Sequence, residues 1–383
     1  MKRKIKMGMV GGGTGAFIGE VHRMAARLDG YIDLVCGAFS SHPKKSKASG
    51  RALFLPESRV YKSYYEMFQQ EAALPEEERM DFVSIVTPNH LHFEPAKLAL
   101  LSGFHVVCDK PVTFNIEEAK ELKKLVDKKK KLFALTHNYT GYPMVKEAKA
   151  IVAAGKLGKV RRCIVEYPQG WLATRLEATG QQQASWRTDP TKSGKAGAMG
   201  DIGTHAENLL EYITGLQITH VCADLNTFVK GRKLDDDGAV LLKLQQDAKA
   251  TLLATQIAAG EENDLRIRIY GEKGGLDWSQ QKPNTLLYRT LNKSLQVLRT
   301  GVGQQAKSTQ AAIRIPAGHP EGFLEAFANI YKNFALALSA HLEGKKRKTL
   351  HLDFPTIDDG IRGMRFIDKV VESAASNKKW TKF

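Results

Sequence analysis

The chain has little cysteine, no long apolar run and no internal repeat, and each lack removes a class of protein. Four cysteines (Cys36, Cys108, Cys163, Cys222) stand far apart in 383 residues. Their spacing builds neither a disulfide framework nor a metal site, so a reducing, cytoplasmic setting is expected and no metal. No stretch approaches the roughly 18–20 unbroken apolar residues of a membrane span. The start, Met1 to Val10, is basic but carries no apolar core or small-residue cleavage site, and it reads as a lead into a first strand. The net charge is +16, yet the lysine-rich runs at 128–131, 344–348 and 378–382 fall at helix ends or the chain end. None is interleaved with aromatics, so no nucleic-acid partner is expected. The charge reads as a solvated surface that also attracts anionic ligands.

What is present divides the chain in two. Up to about residue 137, apolar strand runs alternate with helical patterns of about 10–14 residues. Strands are expected at 4–10, 31–39, 60–61, 81–86, 104–108 and 132–136. This alternation predicts a doubly wound parallel sheet, an α/β domain at 1–137. From 138 to 383 the period changes. Strands come in series at 219–228, 237–244, 248–257, 265–270, 275–278 and 285–289, after an earlier one at 160–167. They predict an α+β domain with a large, mostly antiparallel sheet. Residues 170–200 read as irregular, 290–318 as a long loop, and helices close the chain at about 320–341 and 356–373.

Three elements carry chemistry. The first strand runs into Gly11-Gly12-Gly13-Thr14-Gly15 and then a helix. Glycines there let the backbone approach a pyrophosphate, whose charge meets the free amides of the helix start. Gly11, Gly13, Thr14 and Gly15 are therefore cofactor candidates, in a loop about two residues longer than the usual G-x-G-x-x-G. The second strand ends at Ser40-Ser41, with Lys44, Lys45 and Lys47 after it and no carboxylate. A carboxylate there would favour NAD, whereas hydroxyls and lysines favour the 2′-phosphate of NADP. The same residues also read as a helix cap followed by surface lysines. The second element is the apolar run 104–108 followed by Asp109-Lys110-Pro111, which aims charge at the carboxyl edge of the sheet. The third is Gly200-Asp201-Ile202-Gly203-Thr204-His205. Asp201 and His205, four apart at a helix start, share a face; His205 suits a base near neutral pH, with Asp201 orienting it or the substrate. Helix capping by Asp201 is the structural alternative.

In this order the elements resemble the Gfo/Idh/MocA family of NAD(P)-dependent oxidoreductases, whose relatives include glucose-fructose oxidoreductase and inositol dehydrogenases. The segments that carry the resemblance are 10–22, 83–100, 105–115, 145–160, 186–190 and 200–205. The family's Glu-Lys-Pro stands here as Asp109-Lys110-Pro111, and its Asp-x-x-x-His is intact. The resemblance implies a hydride transfer between a sugar, cyclitol or related polyol and NAD or NADP. Lys110 would lie beside the nicotinamide as a cofactor contact and hold the reacting hydroxyl oxygen, His205 would take its proton, and Asp201 would bind a neighbouring hydroxyl. Thr87, Pro88, Asn89 and His92 would line the cofactor cleft with Asp109, and Asn138 would lie near the nicotinamide. The Lys110–Pro111 bond is a candidate cis bond. Substrate contacts are sought among Tyr142, Trp171, Arg175, Trp186, Arg187 and His319, of which Trp186-Arg187 is the best placed. A homodimer or homotetramer is implied. Two alternatives remain open: a closed redox cycle with retained cofactor, as in aldose–aldose oxidoreduction or redox-assisted glycoside cleavage, and a non-enzymatic NAD(P)-binding sensor.

Overall fold

Apart from Lys6, residues 5–11 are apolar or glycine on both faces, the pattern of a strand covered from each side. In the computed structural model, which describes residues 1–383, they form β1 (Ile5–Gly11). With β2 (Ile32–Ala38), β3 (Phe82–Val86), β4 (His105–Cys108) and β5 (Phe133–Leu135) it makes a parallel sheet in the order β2-β1-β3-β4-β5. The order reverses between β1 and β3, whose carboxyl ends meet where Gly11 pairs with Val86. That is the switch point at which open α/β sheets bind ligands. The expected strand at 60–61 reduces to a single bridge between Val60 and Gly37, so residues 81–86 supply the third strand and not the fourth.

The unit containing this sheet takes in Met1–Gly141 and Phe323–Ile361. The helix Phe323–Leu342 buries Phe327, Ile330, Tyr331, Phe334 and Leu338 among Met7, Met9, Val21, Phe82 and Val107. Each such large side chain contributes about 1.5–3 kcal/mol by leaving water.

The second unit comprises Tyr142–Gly322 and Arg362–Phe383. Its sheet has nine strands: β6 (Val160–Pro168), β7 (Ile218–Asn226), β8 (Asp237–Leu244), β9 (Lys249–Thr255), β10 (Arg266–Gly271), β11 (Gly274–Ser279), β12 (Thr285–Thr290), β13 (Lys293–Arg299) and β14 (Thr381–Lys382). The order is β13-β12-β11-β10-β6-β9-β8-β7-β14. All neighbours are antiparallel except β6 and β9. Alternating burial along β8 gives the sheet one covered face. The loop expected at 290–318 is corrected here: β13 pairs with β12, and a short helix, Lys307–Ala311, follows. β13 is an edge strand exposed along nearly its whole length, and its alternating Leu295 and Val297 both stay exposed. No helix is long and apolar enough to cross a membrane.

Candidate active site

In the first unit the site is built from backbone. Gly11, Gly12 and Gly15 hold φ at 82°, 69° and 85°, a region that favours glycine. The next helix, Phe17–Leu28, has no side-chain cap at Ala16, so its first amides and the positive end of its dipole stay open. The helix after β4 differs: Asn115 accepts from the Glu118 amide at 2.9 Å, and the Glu118 carboxylate accepts from the Phe114 amide at 3.1 Å. Gly12 and Gly19 touch backbone to backbone, since a Cβ on Gly19 would lie 2.3 Å from the Gly12 Cα. The Thr14 amide donates to Ser49 Oγ at 3.0 Å, bracing the loop from the helix Pro43–Ala52. Ser40 Oγ accepts from the His42 amide at 3.1 Å, while Ser41, Lys44 and Lys45 are exposed.

β4 delivers Asp109 and Lys110 to the carboxyl edge, and the Lys110–Pro111 bond is cis. Asp109 Oδ1 accepts from the Lys110 amide at 2.9 Å and from Thr136 Oγ1 at 2.7 Å. Burial alone would raise this carboxyl. The His22 imidazole, the Lys110 ammonium and the Thr136 hydroxyl outweigh it and hold the group below the usual carboxylate range. His137 is pushed down to about 3, first by burial and then by the Lys110 charge, so it is neutral at neutral pH. His92 is fully buried, with Nδ1 2.7 Å from the Pro111 carbonyl and Nε2 2.7 Å from the Thr87 carbonyl. It stands between the end of β3 and the cis-proline turn, and burial lowers its pKa, so its single ring N–H donates to one of these two carbonyls. Thr87 Oγ1 donates to the Leu91 carbonyl at 3.0 Å. Pro88 is half-buried and Asn89 buried beside it. Asn138 is buried with its Nδ2 lacking a partner.

In the second unit the site is built from side chains. β6 and β9 run parallel as neighbours, so Gln169 and Gln256, which follow them, emerge at one edge. Gln256 Nε2 donates to Asp201 Oδ2 at 2.9 Å and to Gln169 Oε1 at 3.3 Å. Trp171 Nε1 donates to Gln169 Oε1 at 3.0 Å, and the Tyr167 hydroxyl donates to Asn263 Oδ1 at 2.8 Å. Arg187 Nε donates to Asp201 Oδ2 at 3.2 Å. Its guanidinium lies 4.2 Å from the Trp186 ring centre and 5.8 Å from that of Trp171. Asp201 sits in a π-helical turn, Met199–Gly203, that continues into the helix Thr204–Thr214 bearing His205. Such turns are frequent at functional sites. Asp235 holds this one by accepting from the Gly197 amide at 2.6 Å and the Met199 amide at 2.8 Å. Burial nonetheless raises the Asp235 pKa above the usual range. His205 is buried, with the Tyr167 ring centre 6.4 Å from its own. Tyr142 is buried against Trp278, and Arg175 and His319 are exposed.

Residues 5–137 match the family described as oxidoreductase family, NAD-binding Rossmann fold, and residues 145–277 match the GFO/IDH/MocA C-terminal domain. The chain belongs to the Gfo/Idh/MocA family. Among its relatives, the uncharacterised oxidoreductase YfiI of Bacillus subtilis is 33% identical over 386 residues, covering 100% of this chain and 98% of that protein. An inositol dehydrogenase homolog of Azotobacter vinelandii, solved with NAD+, superposes with a TM-score of 0.94 at 33% identity, covering 100% and 98% of the two chains. The same homolog solved with NADH and myo-inositol gives 0.91 at 32% identity, with the same coverage. An oxidoreductase of Sinorhizobium meliloti gives 0.88 at 44% identity, covering 99% and 100%.

The NAD-binding character of the Gfo/Idh/MocA first domain agrees with the residues present. A Cβ on Gly11 would fall 3.0–3.2 Å from Thr87 and Val86, so the glycine keeps a cradle open at the switch point. The adjoining helix start is uncapped, and Asn138 leaves a buried donor unspent. Several residues here were not anticipated from sequence. Ser49 and His137 in the first unit, and Tyr167, Gln169, Gln256 and Asn263 in the second, belong to no motif. The parallel pairing of β6 and β9, once known, is the signal that finds the two glutamines.

Proposed function

We propose that this oxidoreductase transfers a hydride between the carbinol carbon of a sugar, cyclitol or related polyol and NAD(P). What carries the reading is the polar set around Asp201. One carboxylate is shared by an arginine and an amide, with further amides and indoles beside it. Groups that both donate and accept match neighbouring hydroxyls, and flat aromatic faces match a ring. A bound nicotinamide supplies the hydride acceptor. Lys110 holds the reacting hydroxyl oxygen through a charge-assisted hydrogen bond. His205 takes the hydroxyl proton, and Asp201, steadied by Arg187 and Gln256, binds a neighbouring hydroxyl. Trp186 and Tyr142 complete the substrate side.

Gly11, Gly13, Thr14 and Gly15 carry the pyrophosphate, Thr87, Pro88, Asn89, His92 and Asp109 shape the cleft, and Asn138 directs its free donor to the nicotinamide side. Ser40, Ser41 and Lys45 meet the adenosine ribose, where hydroxyls and a lysine favour NADP. The Azotobacter vinelandii homolog was solved with a cyclitol, which supports the polyol class. A cytoplasmic homodimer or homotetramer is expected, with its cysteines kept as thiols.

The test is reduction of NAD and NADP, followed separately at 340 nm, against aldoses, inositols, glycosides and sugar acids. Turnover with one cofactor and one substrate class is the expected result. A blank panel, with cofactor released only on denaturation, would replace this reading by the closed redox cycle.

A further inference from the structure

Beneath Lys110, a buried polar chain joins five elements of the first unit. Tyr331 comes from the helix Phe323–Leu342, His22 from Phe17–Leu28, Ser84 from β3, Asp109 from the end of β4 and Thr136 from the end of β5. His22 and Ser84 are 0% exposed, and Tyr331 and Thr136 are 1% exposed. The Tyr331 hydroxyl lies 2.7 Å from His22 Nδ1 and 2.8 Å from Ser84 Oγ. Phe327 packs edge-on against the imidazole, with ring centres 4.8 Å apart. On the far side of the ring, Nε2 has no hydrogen-bond partner and faces Asp109 Oδ1 at 3.9 Å. That is too long for a hydrogen bond, yet close enough for an N–H dipole on Nε2 to be drawn to the carboxylate charge.

A sheet does not need this chain. Phe82, Val83, Ile85 and Val107 around it are apolar, and burying polar groups among them costs free energy unless each is matched. The surroundings also choose the tautomer. A proton on Nδ1 would leave the Nε2 lone pair facing a carboxylate oxygen, which is repulsive. With the proton on Nε2, Tyr331 donates to Nδ1, Ser84 donates to the Tyr331 oxygen, and the Nε2–H dipole points at Asp109.

We propose that His22 is a positioning residue for Lys110. Held by Tyr331 and Ser84, it aims an N–H at Asp109. Asp109 grips the Lys110 amide and the Thr136 hydroxyl, and so sets where the lysine side chain starts from the sheet. What Lys110 then does rests on the dehydrogenase reading; how it is held does not.

Two amide replacements separate the two ring nitrogens. Glutamine puts a donor near the place of Nε2, and asparagine near that of Nδ1. His22→Asn is expected to lower kcat about 10²-fold, the cost of a small misplacement, with cofactor Kd unchanged. His22→Gln recovers most of that loss. Tyr331→Phe, which keeps the ring packed but frees the tautomer, falls between the two. Equal losses in the asparagine and glutamine variants, or losses that only follow the melting temperature, overturn the proposal. A measurement free of turnover separates it from the reaction itself. Lys110 is labelled with pyridoxal phosphate and borohydride, and the rate is read by peptide mass spectrometry. A labelling rate changed by His22→Asn and restored by His22→Gln, in a protein that oxidises nothing in the panel, keeps the positioning role and discards the reaction. Normal turnover with labelling indifferent to both variants does the opposite.

Discussion

In the function proposed, the two units prepare for their ligands with different materials. The first uses main chain: glycines at positive φ, an uncapped helix, and two carbonyls flanking His92. The second uses side chains: Gln169, Gln256, Arg187 and Asp201 in mutual contact at the end of a parallel strand pair. Their partly buried carboxyl groups differ as well. Asp109 lies below the usual range because charge and hydroxyl partners overcome burial, and Asp235 lies above it because burial wins against its amide donors. Main-chain recognition suits an invariant ligand such as a dinucleotide. Side-chain recognition can be rewritten residue by residue, as a substrate site in a diverse family requires.

The sharpest way to break this comparison is Lys110→Met, which keeps the stem and removes the charge. It is expected to cut kcat/KM by about 10²–10⁴-fold while cofactor affinity, read by titration calorimetry, stays the same. Undiminished turnover would falsify the role given to Lys110. A pair of variants then tests the division of labour. Gly19→Ala drives a Cβ into the Gly12 backbone and should cost about 1–3 kcal/mol of stability, with weakened cofactor binding. Gln256→Leu removes a donor from Asp201 and should raise substrate KM about tenfold, the worth of one hydrogen bond, with cofactor Kd unaltered. Crossed effects would show that the units are not specialised in this way.

The smallest effects are in pH. The Asp109 carboxyl is depressed in the fold, so its stabilising contribution is present above its unfolded value of about 3.9 and lost as pH falls. Asp235 is raised, so its contribution is complete below about 3.9 and lost as pH rises through the folded value. In melting curves from pH 3 to 7, the advantage of wild type over Asp109→Asn should therefore widen with rising pH. Its advantage over Asp235→Asn should narrow. Parallel trends would refute the assignment of opposite shifts.

The same contrast explains what could be read from the sequence. Glycine at positive φ, proline after a strand-end lysine and buried apolar runs are forced by geometry, so the glycine loop and the Lys110 turn are legible in the sequence. Gln169 and Gln256 were not, because a polar residue just past a strand looks like any turn residue until the neighbouring strand is known. β13 reads as loop in the sequence, since Lys293–Arg299 lies on the sheet edge and buries almost nothing. Asp201 and His205 were placed on one α-helical face, but the turn at Met199–Gly203 is wider. His22 gave no sign, because its partners Ser84, Asp109 and Tyr331 are distant in the chain.

The helix Phe323–Leu342 has a consequence for how the molecule is made. Its apolar side covers Phe82 and Val107 in a unit whose sheet is complete by Gly141. A ribosome adding about 5–20 residues per second needs roughly 10–40 s to go from Gly141 to Leu342. Through that interval the nascent sheet holds an uncovered apolar face, and the His22 network lacks Tyr331. The cofactor domain therefore cannot mature ahead of the rest of the chain, and the growing polypeptide is an expected client for chaperones that shield apolar surface.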